Sequence, residues 1–93
     1  MPATHVSWKN AGSLMLYALS TCPWCKKVKA LLEELGVEYD FIDVDLLRGK
    51  EREDAISTVR KWNPGLSFPV LVIDNAKSIN GFREEEIRGA LKK

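Results

Sequence analysis

Apolar and polar positions follow two different periods along this chain. Residues 14–19 are almost all apolar, which is typical of a strand covered on both faces of a sheet. After residue 22 the apolar positions recur every three or four residues, with lysine and glutamate between them. This period predicts an amphipathic helix, and Gly36 supplies its end. The first two predicted elements are therefore a buried strand and a helix.

The remainder of the chain repeats this alternation. It predicts a strand at 38–45, a helix at 49–62, an apolar strand at 70–73, its hairpin partner at 78–80 and a last helix at 84–93. The order is βαβαββα, an α/β class. Because crossover connections are right-handed, the first two strands should pair in parallel, and the hairpin should complete a four-stranded mixed sheet with helices on both faces.

The opening of the chain differs from the rest. Residues 1–13 are polar and irregular, and the domain proper is predicted at 14–93. Within the opening, His5-Val6-Ser7-Trp8 predicts either a short extra strand that turns back onto the strand at 14–19 or a flexible extension.

Composition narrows the possible functions. The 93 residues suffice for one domain with a single core, and 45% apolar with 29% charged residues is ordinary for a globular protein. The formal net charge of +1 gives no attraction to nucleic acid or anionic membranes, and no run of about twenty apolar residues predicts a membrane span. The first twelve residues lack the pattern of a secretory signal, so we expect a cytoplasmic protein.

Two cysteines form the clearest candidate for chemistry, in Cys22-Pro23-Trp24-Cys25 between the first strand and the first helix. Pro23 falls at the first helical position, where proline is best tolerated, so Cys22 becomes the N-cap beside unsatisfied backbone N–H groups. These groups and the two lysines after the motif favour a thiolate, and we predict that Cys22 is the nucleophile. Cys25, about one turn further in, should be more buried and protonated, as a resolving thiol is.

Two structural roles compete with this redox interpretation. A zinc site normally needs four ligands, and the chain offers two cysteines and His5, so we predict no metal site within one chain. A structural disulfide is also conceivable, but so small a ring would remove little loop entropy. The position between strand and helix favours the redox role.

The element order, together with the motif at 22–25, Ser67-Phe68-Pro69 and Gly81-Phe82, resembles the glutaredoxins of the thioredoxin-like fold. The resemblance covers residues 14–91. It implies that Pro69 forms a cis peptide bond and faces the dithiol, which leaves the backbone of Phe68 free to pair with an extended peptide or a glutathione cysteine.

The same resemblance implies further substrate-binding positions. They are Pro23, Trp24, Phe68, Pro69, Gly81 and Phe82. Trp24 stands where glutaredoxins often carry tyrosine, and could offer an exposed aromatic surface to a partner.

Two positions depart from the pattern of glutathione-using glutaredoxins. Phe82 replaces the second glycine of a Gly-Gly pair, which adds bulk where the backbone must approach glutathione, and Leu19 replaces a basic residue. Gly81-Phe82 followed by Arg83 is similar instead to the glutaredoxin-like redoxins that serve ribonucleotide reductase and accept electrons from thioredoxin reductase. Both departures argue against tight glutathione binding.

We therefore expect a small dithiol–disulfide oxidoreductase that acts as a monomer on disulfide-containing proteins. No bound cofactor is required; a disulfide reductase, or glutathione as a co-substrate, would supply the electrons. One alternative is an iron–sulfur cluster or zinc ion held by Cys22 thiolates of two chains, as in some glutaredoxin relatives. Another is an interaction module whose thiols are incidental.

Overall fold

The computed structural model describes the backbone of residues 4–6 and all of residues 13–91. Its elements are β1 (Thr4–Val6), β2 (Leu14–Ala18), α1 (Pro23–Leu35), β3 (Tyr39–Asp43), α2 (Gly49–Trp62), β4 (Val70–Ile73), β5 (Lys77–Asn80) and α3 (Glu84–Leu91). α1 and α2 agree with the sequence prediction, and so does α3 as far as Leu91; residues 92 and 93, the predicted end of the last helix, lie outside the described residues. The strand predicted at 38–45 is shorter, because Val44–Leu46 form a 3₁₀ turn.

The strands form one mixed sheet in the order β1-β3-β2-β4-β5. β2 and β3 pair in parallel, as the right-handed crossover through α1 predicts, with Ala18 opposite Asp43. β4 pairs antiparallel with β2 on its other side and with β5 at the edge. The central four strands are therefore the predicted mixed sheet of a thioredoxin-like fold.

The extra N-terminal strand exists, but its predicted partner is wrong. β1 pairs antiparallel with β3, Val6 opposite Tyr39, rather than with the strand that follows it in the chain. The reason is that β3 and β4 already occupy both edges of β2, so an added strand can pair only at an outer edge of the sheet. The sheet consequently has five strands. Ser7 and Trp8, the other half of the predicted strand, lie outside the described residues.

The core lies on both faces of the sheet. One cluster joins the sheet to α1 and α3, and its helical members are Val28, Leu31, Leu32, Ile87 and Leu91. The other cluster joins the sheet to α2 through Ala55 and Val59, which are fully buried. Successive residues of β2 enter opposite clusters, because strand side chains alternate between faces. In the part of the chain that the structure describes, no helix has the length and apolar character needed to span a membrane.

Candidate active site

Cys22 lies at the point where the chain leaves the sheet and enters α1. It is the N-cap of α1, with φ −86° and ψ 116°, and Pro23 occupies the first turn. Its Sγ accepts a hydrogen bond from the backbone N–H of Cys25 at 3.2 Å, while its own N–H donates to the carbonyl of Leu19. The side chain is partly exposed. The sulfur therefore lies where the helix dipole and unpaired N–H groups favour a negative charge.

Cys25 occupies the first turn of α1 and points into the core. Its side chain is 1% exposed and belongs to the cluster between the sheet, α1 and α3. Burial raises the pKa of the Cys25 thiol to about 12, and the hydrogen bond with Cys22 acts in the same direction. Cys25 is thus the inaccessible, neutral thiol of the pair, which is the environment that the sequence predicts.

An aromatic patch covers the surface beside the dithiol. It consists of Trp24, which is 54% exposed, Phe82 and the ammonium of Lys27. The two rings stack with centroids 6.2 Å apart and planes inclined by 25°. The Lys27 Nζ lies 4.5 Å from the centroid of the Trp24 ring, within cation–π range. The patch joins the start of α1 to the segment before α3, and the ring of Phe82 fills space that a second glycine would leave open.

The segment before β4 packs against the same core cluster as the dithiol. The Phe68–Pro69 peptide bond is cis, and Pro69 is fully buried. The Pro69 carbonyl accepts the N–H of Gly81 at 2.8 Å, and Gly81 has φ 86°, a left-handed conformation that favours glycine. Phe68 is partly exposed and packs against both core clusters. Within residues 13–91 the backbone of Phe68 makes no hydrogen bond to another backbone group. Its N–H and carbonyl groups are therefore available to bind a ligand.

Two contacts near the dithiol were missed by the sequence reasoning. Ser20 donates from its N–H and its hydroxyl to the carboxylate of Asp45, at 2.8 and 2.6 Å, and these bonds lower the pKa of Asp45. The Lys29 Nζ contacts the Asp43 carboxylate at 3.1 Å. The available signal was the position of both aspartates at or just beyond the carboxyl end of β3, the end at which β2 leads into the cysteine motif.

Potential metal ligands are not clustered in the described regions. Neither the strand at 4–6 nor residues 13–91 contribute a group of three or more histidine, cysteine, aspartate or glutamate side chains that could hold a metal ion.

Comparisons with known proteins agree with this architecture. The glutaredoxin family model matches residues 14–77. A glutaredoxin-like 8.6 kDa protein from the rubredoxin operon of Clostridium pasteurianum is 36% identical, over 86% of this chain and 99% of that protein. The crystal structure of a glutaredoxin from Methanosarcina mazei superposes with a TM-score of 0.91 at 49% identity, covering 98% of this chain and 88% of the other.

The methanoredoxin of Methanosarcina acetivorans gives a TM-score of 0.90 at 45% identity, over 94% of this chain and 92% of that one. The matched segment contains both cysteines, Phe68 and Pro69. The chain therefore belongs to the glutaredoxin family, whose members are thiol–disulfide oxidoreductases.

Proposed function

We propose that this protein reduces disulfides in other proteins through a Cys22–Cys25 dithiol cycle, and that a disulfide reductase returns the electrons. The observation that carries the proposal is the contrast between the two thiols. Cys22 is partly exposed at a helix N-cap, whereas Cys25 is 1% exposed and its pKa is raised to about 12. An accessible sulfur at a helix N-cap can attack a substrate, and a buried neutral thiol can act in the second step.

The cycle has two exchange steps. The Cys22 thiolate attacks one sulfur of the substrate disulfide, which forms a mixed disulfide and releases the first substrate thiolate. The Cys25 thiol then loses its proton and attacks the Cys22 sulfur, and the second substrate thiolate leaves with the electron pair. The protein ends with a Cys22–Cys25 disulfide. Two electrons from the reductase restore the dithiol, so no resident cofactor is needed.

Two features beside the dithiol would recognise a partner, the backbone of Phe68 and the aromatic patch. The unpaired backbone of Phe68 can bind an extended peptide in the manner of an added strand. The aromatic patch offers the large, partly exposed Trp24 ring to a protein surface beside the reacting sulfur. We propose that Pro23, Pro69 and Gly81 shape this surface while Trp24, Phe68 and Phe82 contact the partner.

The electron donor depends on Phe82. Its ring stacks on Trp24 beside the dithiol, and Leu19 supplies no positive charge to pair with a glutathione carboxylate. These two features favour a protein reductase over glutathione. A dithiol that is regenerated in this way requires a reducing compartment, and we propose the cytoplasm.

Single-cysteine variants test the mechanism. Cys22→Ser should abolish reduction of a protein disulfide such as that of insulin, because no accessible thiolate remains. Cys25→Ser should retain the first step and accumulate a mixed disulfide, visible by mass spectrometry of the intact protein. Full turnover by Cys22→Ser would refute the proposed nucleophile.

Glutathione and a reductase are separated by a second experiment. The oxidised protein is incubated with excess reduced glutathione, and its thiol state is followed by mass spectrometry, with dithiothreitol as the positive control. We expect dithiothreitol alone to reduce the wild type, and glutathione to react more readily with Phe82→Gly, which restores the second glycine. Rapid reduction or a stable adduct of the wild type would instead make glutathione the co-substrate.

A further inference from the structure

Lys29 and Asp43 form a partly buried ion pair beside the resolving cysteine. The Lys29 Nζ lies 3.1 Å from Asp43 Oδ1, and the two side chains are only 23% and 16% exposed. The same ammonium lies 4.0 Å from the centroid of the Phe41 ring. Because Lys29 has two bonding partners and a mostly buried side chain, it is held in one conformation, unlike most surface lysines.

The pair fixes where that charge lies relative to Cys25. Lys29 is four residues after Cys25 in α1, so the two side chains are neighbours on one face of the helix. Side chains of a helix lean toward its N-terminus, which brings the ammonium of Lys29 back toward the first turn. Asp43 ends β3 opposite Ala18, at the end of the sheet where the dithiol lies. Bonding to Asp43 therefore holds the ammonium at this end of the sheet, where it interacts electrostatically with Cys25.

Few titratable or charged groups surround Cys25 in the described regions. α1 contributes Cys22 and Lys29, and β3 contributes Asp43 and the phenol of Tyr39, whose pKa burial raises to about 12. The other strands and α3 face this part of the core with apolar side chains, among them Leu16, Ala18, Leu71 and Ile87. Lys29 lowers the pKa of Cys25, against the larger effect of burial.

We propose that Lys29, held by Asp43, is a positioning residue for the resolving step, in which its ammonium stabilises the Cys25 thiolate as it attacks the mixed disulfide. This inference rests on the dithiol cycle proposed above. In that step the Cys25 proton passes to solvent, the Cys25–Cys22 bond forms, and the bond from Cys22 to the substrate sulfur breaks. The fixed positive charge is useful there because burial otherwise opposes formation of a thiolate.

A two-step thiol reaction isolates the resolving step. The reduced protein is mixed in a stopped-flow instrument with dithiobis(nitrobenzoate), an aromatic disulfide whose thiolate product is coloured. Attack by Cys22 releases the first coloured thiolate, and resolution by Cys25 releases the second. The rate of each phase is measured against pH for the wild type, Lys29→Gln and Lys29→Arg. Lys77→Gln, which removes an exposed lysine at the opposite end of the sheet, is the matched control.

We expect Lys29→Gln to slow the second phase and to displace its pH profile upward. For each unit by which the pKa of Cys25 rises, the thiolate fraction at neutral pH falls tenfold. The more basic thiolate is also more nucleophilic, which offsets about half of that loss on a logarithmic scale, so the rate falls about threefold for each unit. The loss should disappear or reverse once Cys25 is fully ionised. The first phase should be unchanged, Lys29→Arg should retain the wild-type profile, and Lys77→Gln should match the wild type.

The outcomes separate this inference from the mechanism on which it depends. An unchanged second phase in Lys29→Gln, or a slowing that is the same at every pH, would overturn the role of Lys29. A wild type that releases only one coloured thiolate would overturn the proposed dithiol cycle itself.

Discussion

Alkaline pH should destabilise the reduced protein through Cys25. Burial and the contact with Cys22 raise the pKa of this thiol from 9.0 to about 12. Below about pH 9 the thiol is neutral in both the folded and the unfolded chain, and the stability is fully present. Above that pH the unfolded chain releases a proton that the folded chain retains, so the free energy of unfolding falls as the pH rises toward the folded pKa.

The size of the loss follows from the two pKa values. Each pH unit between them costs about 1.4 kcal/mol per group. At about pH 10, roughly one unit above the ordinary value, the loss from Cys25 is on the order of 1 kcal/mol. Tyr39 adds a smaller loss at that pH, because its pKa rises from 10.0 to about 12. A variant that retains Tyr39 and lacks the Cys25 thiol therefore isolates the cysteine.

Urea unfolding measures this effect. The reduced wild type and Cys25→Ala are unfolded in the presence of a phosphine reductant at about pH 8 and about pH 10, with tryptophan fluorescence as the signal. Cys25→Ala also removes packing in the core, but that cost does not depend on pH. We expect the stability difference between the two proteins to change by about 1 kcal/mol between the two pH values, with the wild type losing more. Parallel pH dependences would refute the argument that burial holds Cys25 neutral.

Two further predictions concern the residue that ends α1 and the segment that precedes it. Gly36→Ala should destabilise the protein by about 1 kcal/mol in the same urea assay, because Gly36 has φ 65°, a left-handed conformation that strains an alanine backbone. The added Cβ would meet no neighbour within 4 Å, so no steric clash contributes. An unchanged midpoint would contradict this explanation. Ser20→Ala should raise the pKa of Asp45 toward 3.8 in an NMR titration, because it removes the hydroxyl hydrogen bond, the larger cause of the lowered pKa, and leaves the backbone N–H bond in place. An unshifted titration would show that the hydroxyl bond does not form in solution.

The helices were predictable because each carries its own local signals. α1 has Pro23 at its start, Gly36 at its end and an apolar position at every third or fourth residue between them. The partner of β1 was not predictable in this way. A strand can pair with any free edge. The completed sheet, in which β3 and β4 flank β2, excludes β2 as a partner and leaves the outer edges of β3 and β5, of which β1 takes β3.

The chain by itself determined the candidate chemistry. Two cysteines with two residues between them and a proline at a helix start predict an N-cap thiol, because this position depends on a single helical turn, and the amphipathic period of α1 places the second cysteine on its apolar face. The tertiary structure decided what surrounds them. The stacking of Phe82 on Trp24 and the pairing of Lys29 with Asp43 join residues from different elements. Such contacts depend on how helices pack on the sheet, which no local spacing in the sequence specifies.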